Sequence, residues 1–297
     1  MKNLVSTDWL EKNLNNVKIL DCSWHLPNSN RNALKEFNTS HIKNSIFFDI
    51  EENSNKNTSL PHMLTNKNDW ETIVSNLGIE NKDHIICYDN SDVISSCRVW
   101  YNFLYFGHNS NLISILDGGL KKWVEEKRST FKEIKNFEYS NYQATENSSL
   151  VLNKNQIDSN IKNKVFELVD ARSKERFQGE QPEFRKELKS GNIEGSKNLP
   201  FIELINKSDK TFKEKNKLID IFKRHNAPLA ILHCVSAYPT PLEECNLSMI
   251  KVLKQRYQLK TGYSGHELGY LPTVTAVAMG AQVIERHYTL DKNMVGF

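Results

Sequence analysis

Short apolar runs punctuate the first half of the chain, each ending in polar or turn-forming residues. Val17-Lys18-Ile19-Leu20-Asp21, His84-Ile85-Ile86-Cys87-Tyr88 and Leu112-Ile113-Ser114-Ile115-Leu116 each read as a buried strand. Helical stretches fall between them. Ser6 or Thr7 can cap a helix running to about Leu14, Asp69-Trp70 opens another that ends near Gly78, residues 95–106 form a third stopped by Gly107, and residues 119–126 a fourth. Strands alternating with helices predict a parallel sheet covered on both faces. Chemistry in such sheets gathers in the loops at the carboxyl ends of the strands.

The pattern then returns. Val165-Phe166-Glu167-Leu168-Val169-Asp170 repeats the run that ends at Asp21, about 150 residues later, a domain-sized period. Residues 133–149, rich in Asn, Ser, Glu and Tyr, read as a linker between the copies. Composition shifts near His225-Asn226. Residues 1–225 hold 31 Asn and three Ala, whereas residues 226–297 hold three Asn and six Ala, which marks a junction of two sequence origins.

The chain has 297 residues, of which 38% are hydrophobic and 10% aromatic, enough for large cores. Its 39 basic and 36 acidic residues nearly cancel, which argues against nucleic acid as a partner. No run approaches the ~18 apolar residues of a membrane-spanning helix, and the N-terminus reaches a charge before any apolar stretch, unlike a secretory signal. Five cysteines at irregular spacing do not suggest a disulfide framework, so a reducing cytoplasm is expected.

Several segments of the first 225 residues, in order, resemble the two-domain rhodaneses, the family of thiosulfate and 3-mercaptopyruvate sulfurtransferases. They are Phe37-Asn38-Thr39-Ser40-His41-Ile42, Tyr88-Asp89-Asn90-Ser91-Asp92, Arg98-Val99-Trp100, Leu116-Asp117-Gly118-Gly119, Asp170-Ala171-Arg172-Ser173, Arg176-Phe177-Gln178-Gly179, Pro182-Glu183-Phe184-Arg185 and Asn198-Leu199-Pro200-Phe201. Sulfur transfer needs a thiolate, a loop of backbone N–H groups around it and cations for an anionic donor. The resemblance implies that Asp89 marks a non-catalytic first-domain loop and that Arg176 and Arg185 bind substrate. Cys234, at the end of the run Leu229-Ala230-Ile231-Leu232-His233, stands where the resemblance places the catalytic cysteine. The loop after it departs from the family. It carries Val235, Ala237, Tyr238 and Pro239 where the family has glycines, and Pro239 removes an N–H donor.

Residues 226–297 resemble a different family, the sialic acid synthases, which condense phosphoenolpyruvate with an N-acetylated sugar on a metal-binding TIM barrel. The resemblance rests on residues 231–241, on Gly262-Tyr263-Ser264-Gly265-His266-Glu267-Leu268-Gly269 and on Ile284-Glu285-Arg286-His287-Tyr288-Thr289. It implies that His266 and His287 are metal ligands, that Ser264 contacts phosphate and that Ser236 and Tyr238 lie in the substrate loop. The two histidines are 21 residues apart, one β-loop-α-β unit, which puts both at the carboxyl ends of neighbouring strands. A full barrel takes about 250 residues, so this stretch supplies a fraction of one.

The expected fold is α/β: a rhodanese-like parallel sheet with helices on both faces, followed by a hybrid of half a rhodanese domain and a partial TIM barrel. The expected domains are 1–132, a linker at 133–149, a half-domain at 150–225 and a synthase-like segment at 226–297. The expected activity is sulfur transfer from 3-mercaptopyruvate or thiosulfate, weak or absent because the cysteine loop is replaced. The alternatives are a truncated N-acetylneuraminate synthase and a non-enzymatic anion-binding fusion. Sulfur transfer calls for no cofactor, while an assembled synthase-like site would take manganese or magnesium. The expected partners are small anionic substrates, with no nucleic acid and no membrane.

Overall fold

A computed structural model describes residues 3–135, 137–183, 188–235 and 237–287. It divides into two units, residues 1–166 with 201–214 and residues 167–200 with 215–297. Unit 1 begins with β1 (Leu4–Val5) and α1 (Thr7–Asn13), whose first turn is closed by the Ser6 side chain accepting from Trp9 N. There follow β2 (Lys18–Asp21), α2 (Ala33–Thr39), β3 (Ser45–Phe47), α3 (Lys67–Asn76), β4 (Ile85–Tyr88), α4 (Ser96–Tyr105), β5 (Ile113–Leu116), α5 (Gly119–Glu125) and α6 (Lys154–Asn163). Helix α3 starts ahead of Asp69-Trp70 because Asn66 supplies the cap, accepting from Asp69 N at 3.0 Å.

The strands pair in the order β1-β5-β4-β2-β3, all parallel. Every residue of β4 and β5 is buried, as expected of strands covered by helices on both faces. One core gathers Phe48, Trp70, Phe103, Phe106 and Tyr142, the other Ile19, Ile86, Tyr88, Leu116 and Trp123. The expected parallel sheet is therefore present, with its loops at the carboxyl ends of β2, β4 and β5.

The stretch read as a linker is part of this unit. Tyr142 and Ala144 are buried in the first core. The backbone N–H groups of Tyr142, Gln143 and Ala144 donate to Ser75 Oγ (3.0 Å), Asn81 Oδ1 (2.9 Å) and Glu71 Oε1 (2.8 Å). Residues 201–214 also belong to unit 1. Phe212 N donates to Asp117 Oδ1 at 2.8 Å, and Lys210 Nζ donates to Ser91 O at 2.7 Å and Asp92 Oδ1 at 2.9 Å.

Unit 2 contains β6 (Val169–Asp170), α7 (Lys174–Gln178), β7 (Lys197–Asn198), α8 (Lys215–Arg224), β8 (Ala230–Cys234), α9 (Met249–Tyr257), β9 (Lys260–Gly265), α10 (Leu271–Ala278) and β10 (Val283–Arg286). Strands β6 and β7 form a parallel pair, while β8, β9 and β10 form a separate parallel sheet with β9 in the middle. Gly262 of β9 sits under β10, where a Cβ would meet Val283 O at 2.2 Å, so only glycine permits that close approach. The core of this sheet is small: Ile250, Tyr263, Ala276 and Ala281.

Candidate active site

The loop after β4, where the rhodanese resemblance puts a non-catalytic Asp89, is bonded within itself. The Asp89 carboxylate folds back into its own loop, accepting from Ser91 N at 2.8 Å and from Ser96 N, at the start of α4, at 3.0 Å. These N–H groups would otherwise face an incoming anion. Leu120 N donates to Asp89 O at 3.0 Å, and a Cβ on Gly119 would meet that same oxygen at 2.4 Å. The Gly118-Gly119 turn thus lets the start of α5 approach the loop closely.

Cys234 ends β8, His266 follows β9 and His287 follows β10. The β9–β10 register pairs Gly265 with Arg286, and the two imidazole centroids lie 5.1 Å apart. The Tyr238 ring joins them, 5.1 Å from His266 and 4.9 Å from His287. Cys234 is exposed, with Sγ 3.9 Å from His266 Nε2 and 4.0 Å from Nδ1. His266 Nδ1 lies 2.9 Å from Val235 O. A carbonyl only accepts, so Nδ1 carries the proton in the neutral ring and Nε2 keeps a lone pair near the thiol.

The other cysteines are poorly placed for nucleophilic work. Cys22, Cys87 and Cys245 are buried. Burial pushes the Cys22 thiol well above its ordinary range and that of Cys97 up to about 12.

Arg176 is drawn into an ion-pair network. The Glu183 carboxylate, 3% exposed, binds Arg172 Nη1 at 2.6 Å and also takes Arg176 Nη2. The Arg176 pair leads in holding the Glu183 carboxyl below its ordinary range, with Arg172 adding to it. Arg185 and Ser236 lie outside the described residues.

The metal implied by the synthase resemblance does not fit the donors present. Manganese and magnesium prefer several oxygen ligands. The His266 Nδ1 bond to the Val235 carbonyl leaves Nε2 available, but Ser264 Oγ, the nearby hydroxyl, donates to Glu285 Oε1 at 2.6 Å. Among the described residues no three His, Cys, Asp or Glu side chains converge. Ser264 is aimed at a carboxylate, an unfavourable neighbour for a phosphate. Glu267 is likewise engaged, accepting from Tyr263 OH at 2.7 Å and pairing with Arg286. Burial raises its carboxyl, but these donors outweigh that and leave it below the ordinary range.

Two features carried no signal in the sequence. Glu51 and His62 lie 3.5 Å apart on an irregular loop, with Trp24 Nε1 donating to Glu51 Oε1 at 2.9 Å. A cavity of about 880 Å³ lies by Asp21, at the carboxyl end of β2. Neither follows a periodic pattern that a linear reading could detect.

Residues 6–126 match the family model of the rhodanese-like domain, and residues 206–297 that of the NeuB family. The second match starts ahead of the composition shift at 225–226. Thiosulfate/3-mercaptopyruvate sulfurtransferase 1, mitochondrial, of Arabidopsis thaliana is 38% identical over 221 residues, covering 67% of this chain and 58% of its own length. Sulfurtransferase 2 of the same plant is also 38% identical, with 64% of its length covered. The chain thus spans less than two thirds of either plant relative. The 3-mercaptopyruvate sulfurtransferase of Mus musculus is 35% identical over 235 residues, covering 74% of this chain and 78% of that protein. Among solved structures, the 3-mercaptopyruvate sulfurtransferase SseA from Escherichia coli superposes with a TM-score of 0.69 at 24% identity, covering 97% of this chain and 98% of that one. At that identity the likeness speaks for the fold. Among the described residues no helix is long and apolar enough to cross a membrane.

Proposed function

Since this chain belongs to the rhodanese family of sulfurtransferases, we propose that it takes sulfur from 3-mercaptopyruvate or thiosulfate onto Cys234, at a rate well below the ~1–10³ per second of ordinary enzymes. The observation that carries this reading is the placement of Cys234. It is the exposed cysteine at the carboxyl end of a strand, with an imidazole nitrogen 3.9 Å from its sulfur. In this scheme His266 Nε2 takes the thiol proton, and the thiolate attacks the sulfur of 3-mercaptopyruvate. The carbon–sulfur bond breaks, its electron pair stays on the carbon, and the imidazolium returns a proton there. The products are pyruvate and a Cys234 persulfide. With thiosulfate the leaving group is sulfite, which departs without needing that proton. No cofactor enters either step.

Slowness follows from the loop and the cations. Pro239 offers no N–H, and Thr240 Oγ1 donates to Ala237 O at 2.8 Å instead of facing the sulfur. Arg176 is already paired with Glu183, which competes with a substrate carboxylate. In the compartment of this chain, cysteine must stay reduced for the scheme to work. Cyanolysis by the purified chain tests the reading. A slow release of thiocyanate that disappears in Cys234→Ser supports it. Thiocyanate release that persists in Cys234→Ser, or its complete absence after long incubation, overturns it.

A further inference from the structure

Helices α8, α9 and α10 lie side by side in unit 2. Lys223 Nζ of α8 donates to Tyr257 O at the end of α9, and Tyr257 OH lies 3.4 Å from Asn216 Oδ1. Ile250 of α9 and Ala276 of α10 meet Tyr263 of β9 in one core, so both helices cover the same face of the sheet. The outer side of α10 is apolar. From Gly269 to Ile284 the chain carries no charged residue. The helix buries Pro272 and Ala276, yet Leu271, Val274 and Val277 are 67%, 56% and 51% exposed, with Leu268 and Tyr270 exposed just ahead of them. A helix that is apolar all round is normally covered, and an exposed apolar patch marks a contact surface.

Helices α8 and α9 are basic. Together they carry seven Lys and Arg residues, all exposed, against one acid, Asp220. The whole chain has 39 basic and 36 acidic residues, so the imbalance is local. Lys223, Arg224, Lys254 and Arg256 lie in or beside last turns, where they complement the helix dipole. Lys215, Lys217 and Lys251 lie in first turns, where the dipole disfavours a cation and no acid offsets it. Helix stability does not account for these three.

The charge selects the partner. A second copy seated symmetrically on this face would bring two basic rims together, and like charges repel. A nucleic acid would use the cations but leave the apolar stripe in water. The cavities of about 880, 380 and 360 Å³ all lie in unit 1, so among the described residues this face offers no comparable groove for a peptide. An apolar stripe bordered by cations suits anionic lipid, where the stripe enters the headgroup layer and the basic side chains meet its charge. Lys254 Nζ marks the border, 3.8 Å from where a Cβ on Gly280 would stand beyond α10. Met249 and Val252, exposed on α9, extend the stripe among the cations.

We propose that the α8–α9–α10 face of unit 2 docks on an anionic lipid surface. The expectation of no membrane partner rests on the lack of a spanning run, which docking at the surface does not require. Sedimentation of the full chain with vesicles at low salt tests the proposal. Mixed phosphatidylserine–phosphatidylcholine vesicles should bind at least tenfold more tightly than pure phosphatidylcholine vesicles, and added salt should weaken that binding. Two variants locate the surface. Val274→Asp interrupts the stripe, and Lys215→Glu with Lys217→Glu and Lys251→Glu reverses the first-turn cations. Each should weaken binding at least tenfold with an unchanged thermal transition, because all four side chains are exposed. No binding, or equal binding to both kinds of vesicle, overturns the proposal. Undiminished binding of a folded Val274→Asp variant also overturns it, as does equally tight binding to a DNA duplex. A dimer in sedimentation velocity that Val274→Asp converts to monomer would give the face to a second copy instead.

Discussion

Cys234 and His266 face each other across the ends of β8 and β9, with Sγ 3.9 Å from Nε2 and the opposite ring nitrogen anchored on the Val235 carbonyl. The anchor fixes which nitrogen can receive a proton, although Sγ lies almost equally far from the two, 4.0 Å from Nδ1. A thiol beside such a base has a proton acceptor within reach when it reacts.

Alkylation by iodoacetamide should therefore label one cysteine of the folded chain, Cys234, because the other four are buried or have a raised thiol. Replacing the base, His266→Gln, should slow that labelling about tenfold, a modest share of the ~10²–10⁴ that a positioned base contributes to catalysis. Stopped-time mass spectrometry on the intact chain reads both the site and the rate. Equal rates in the two proteins would show that the imidazole is a bystander.

The Glu183 clamp sets a second test. Glu183→Gln keeps the side chain's shape but releases the Arg176 guanidinium from its ion pair. A charge-assisted hydrogen bond is worth about 1.5–3 kcal/mol. Affinity for pyruvate, followed by ligand-observed NMR, should rise about tenfold if Arg176 is a carboxylate-binding group held in check. Unchanged affinity would assign Arg176 to structure alone. The variant should also lose about 1–3 kcal/mol of stability, because the buried acceptor that holds Arg172 and Arg176 together is weakened.

How far these relationships could be read from the sequence depends on their range along the chain. Strands β2, β4 and β5 were legible because burial on both faces writes itself as an unbroken apolar run. The pairing of His266 with His287 was legible too, because one β-loop-α-β unit fixes where the next strand ends. The capture of Arg176 by Glu183 was not, since an irregular loop has no period from which to infer direction. Tyr142 was missed for a different reason. Its buried ring stands alone in a polar stretch, and its burial depends on Ser75 and Phe103, which are distant in the chain.

Asp21 also carries a pH signature. Its pKa is raised from 3.8 to about 6 by burial. For an acid raised on folding, the folded state holds the proton more tightly than the unfolded state. Its unfavourable contribution is therefore absent below about pH 4 and grows as pH rises through about 6. A shift of about two units corresponds to about 3 kcal/mol. The stability of Asp21→Asn relative to the unmodified chain should rise by about that amount between pH 4 and pH 7. Urea unfolding at the two pH values measures it, and a difference independent of pH would contradict the assignment.

The last prediction concerns where the first domain ends. Sequence composition puts its boundary at residue 132, yet the stretch beyond it completes the core. The Tyr142 ring packs edge-on to Phe103, with centroids 6.3 Å apart, and its hydroxyl lies 3.1 Å from His108 Nδ1. Backbone bonds from 142–144 reach α3 and the loop after it, and Thr145 N donates to Phe106 O at 2.9 Å. Removing 133–150 uncovers apolar surface around Phe103 and strips Ser75 and Glu71 of their partners. Loss of a buried aromatic side chain alone costs about 3–5 kcal/mol, a large part of the ~5–15 kcal/mol that holds a domain together. A chain of residues 1–150 should therefore unfold in one cooperative thermal transition. One of residues 1–132 should melt at least 10 °C lower or show no transition, since each kcal/mol shifts a domain of this size by several degrees. Equal melting temperatures for the two would mean that the 137–147 segment lies on unit 1 without stabilising it, and the boundary at 132 would stand.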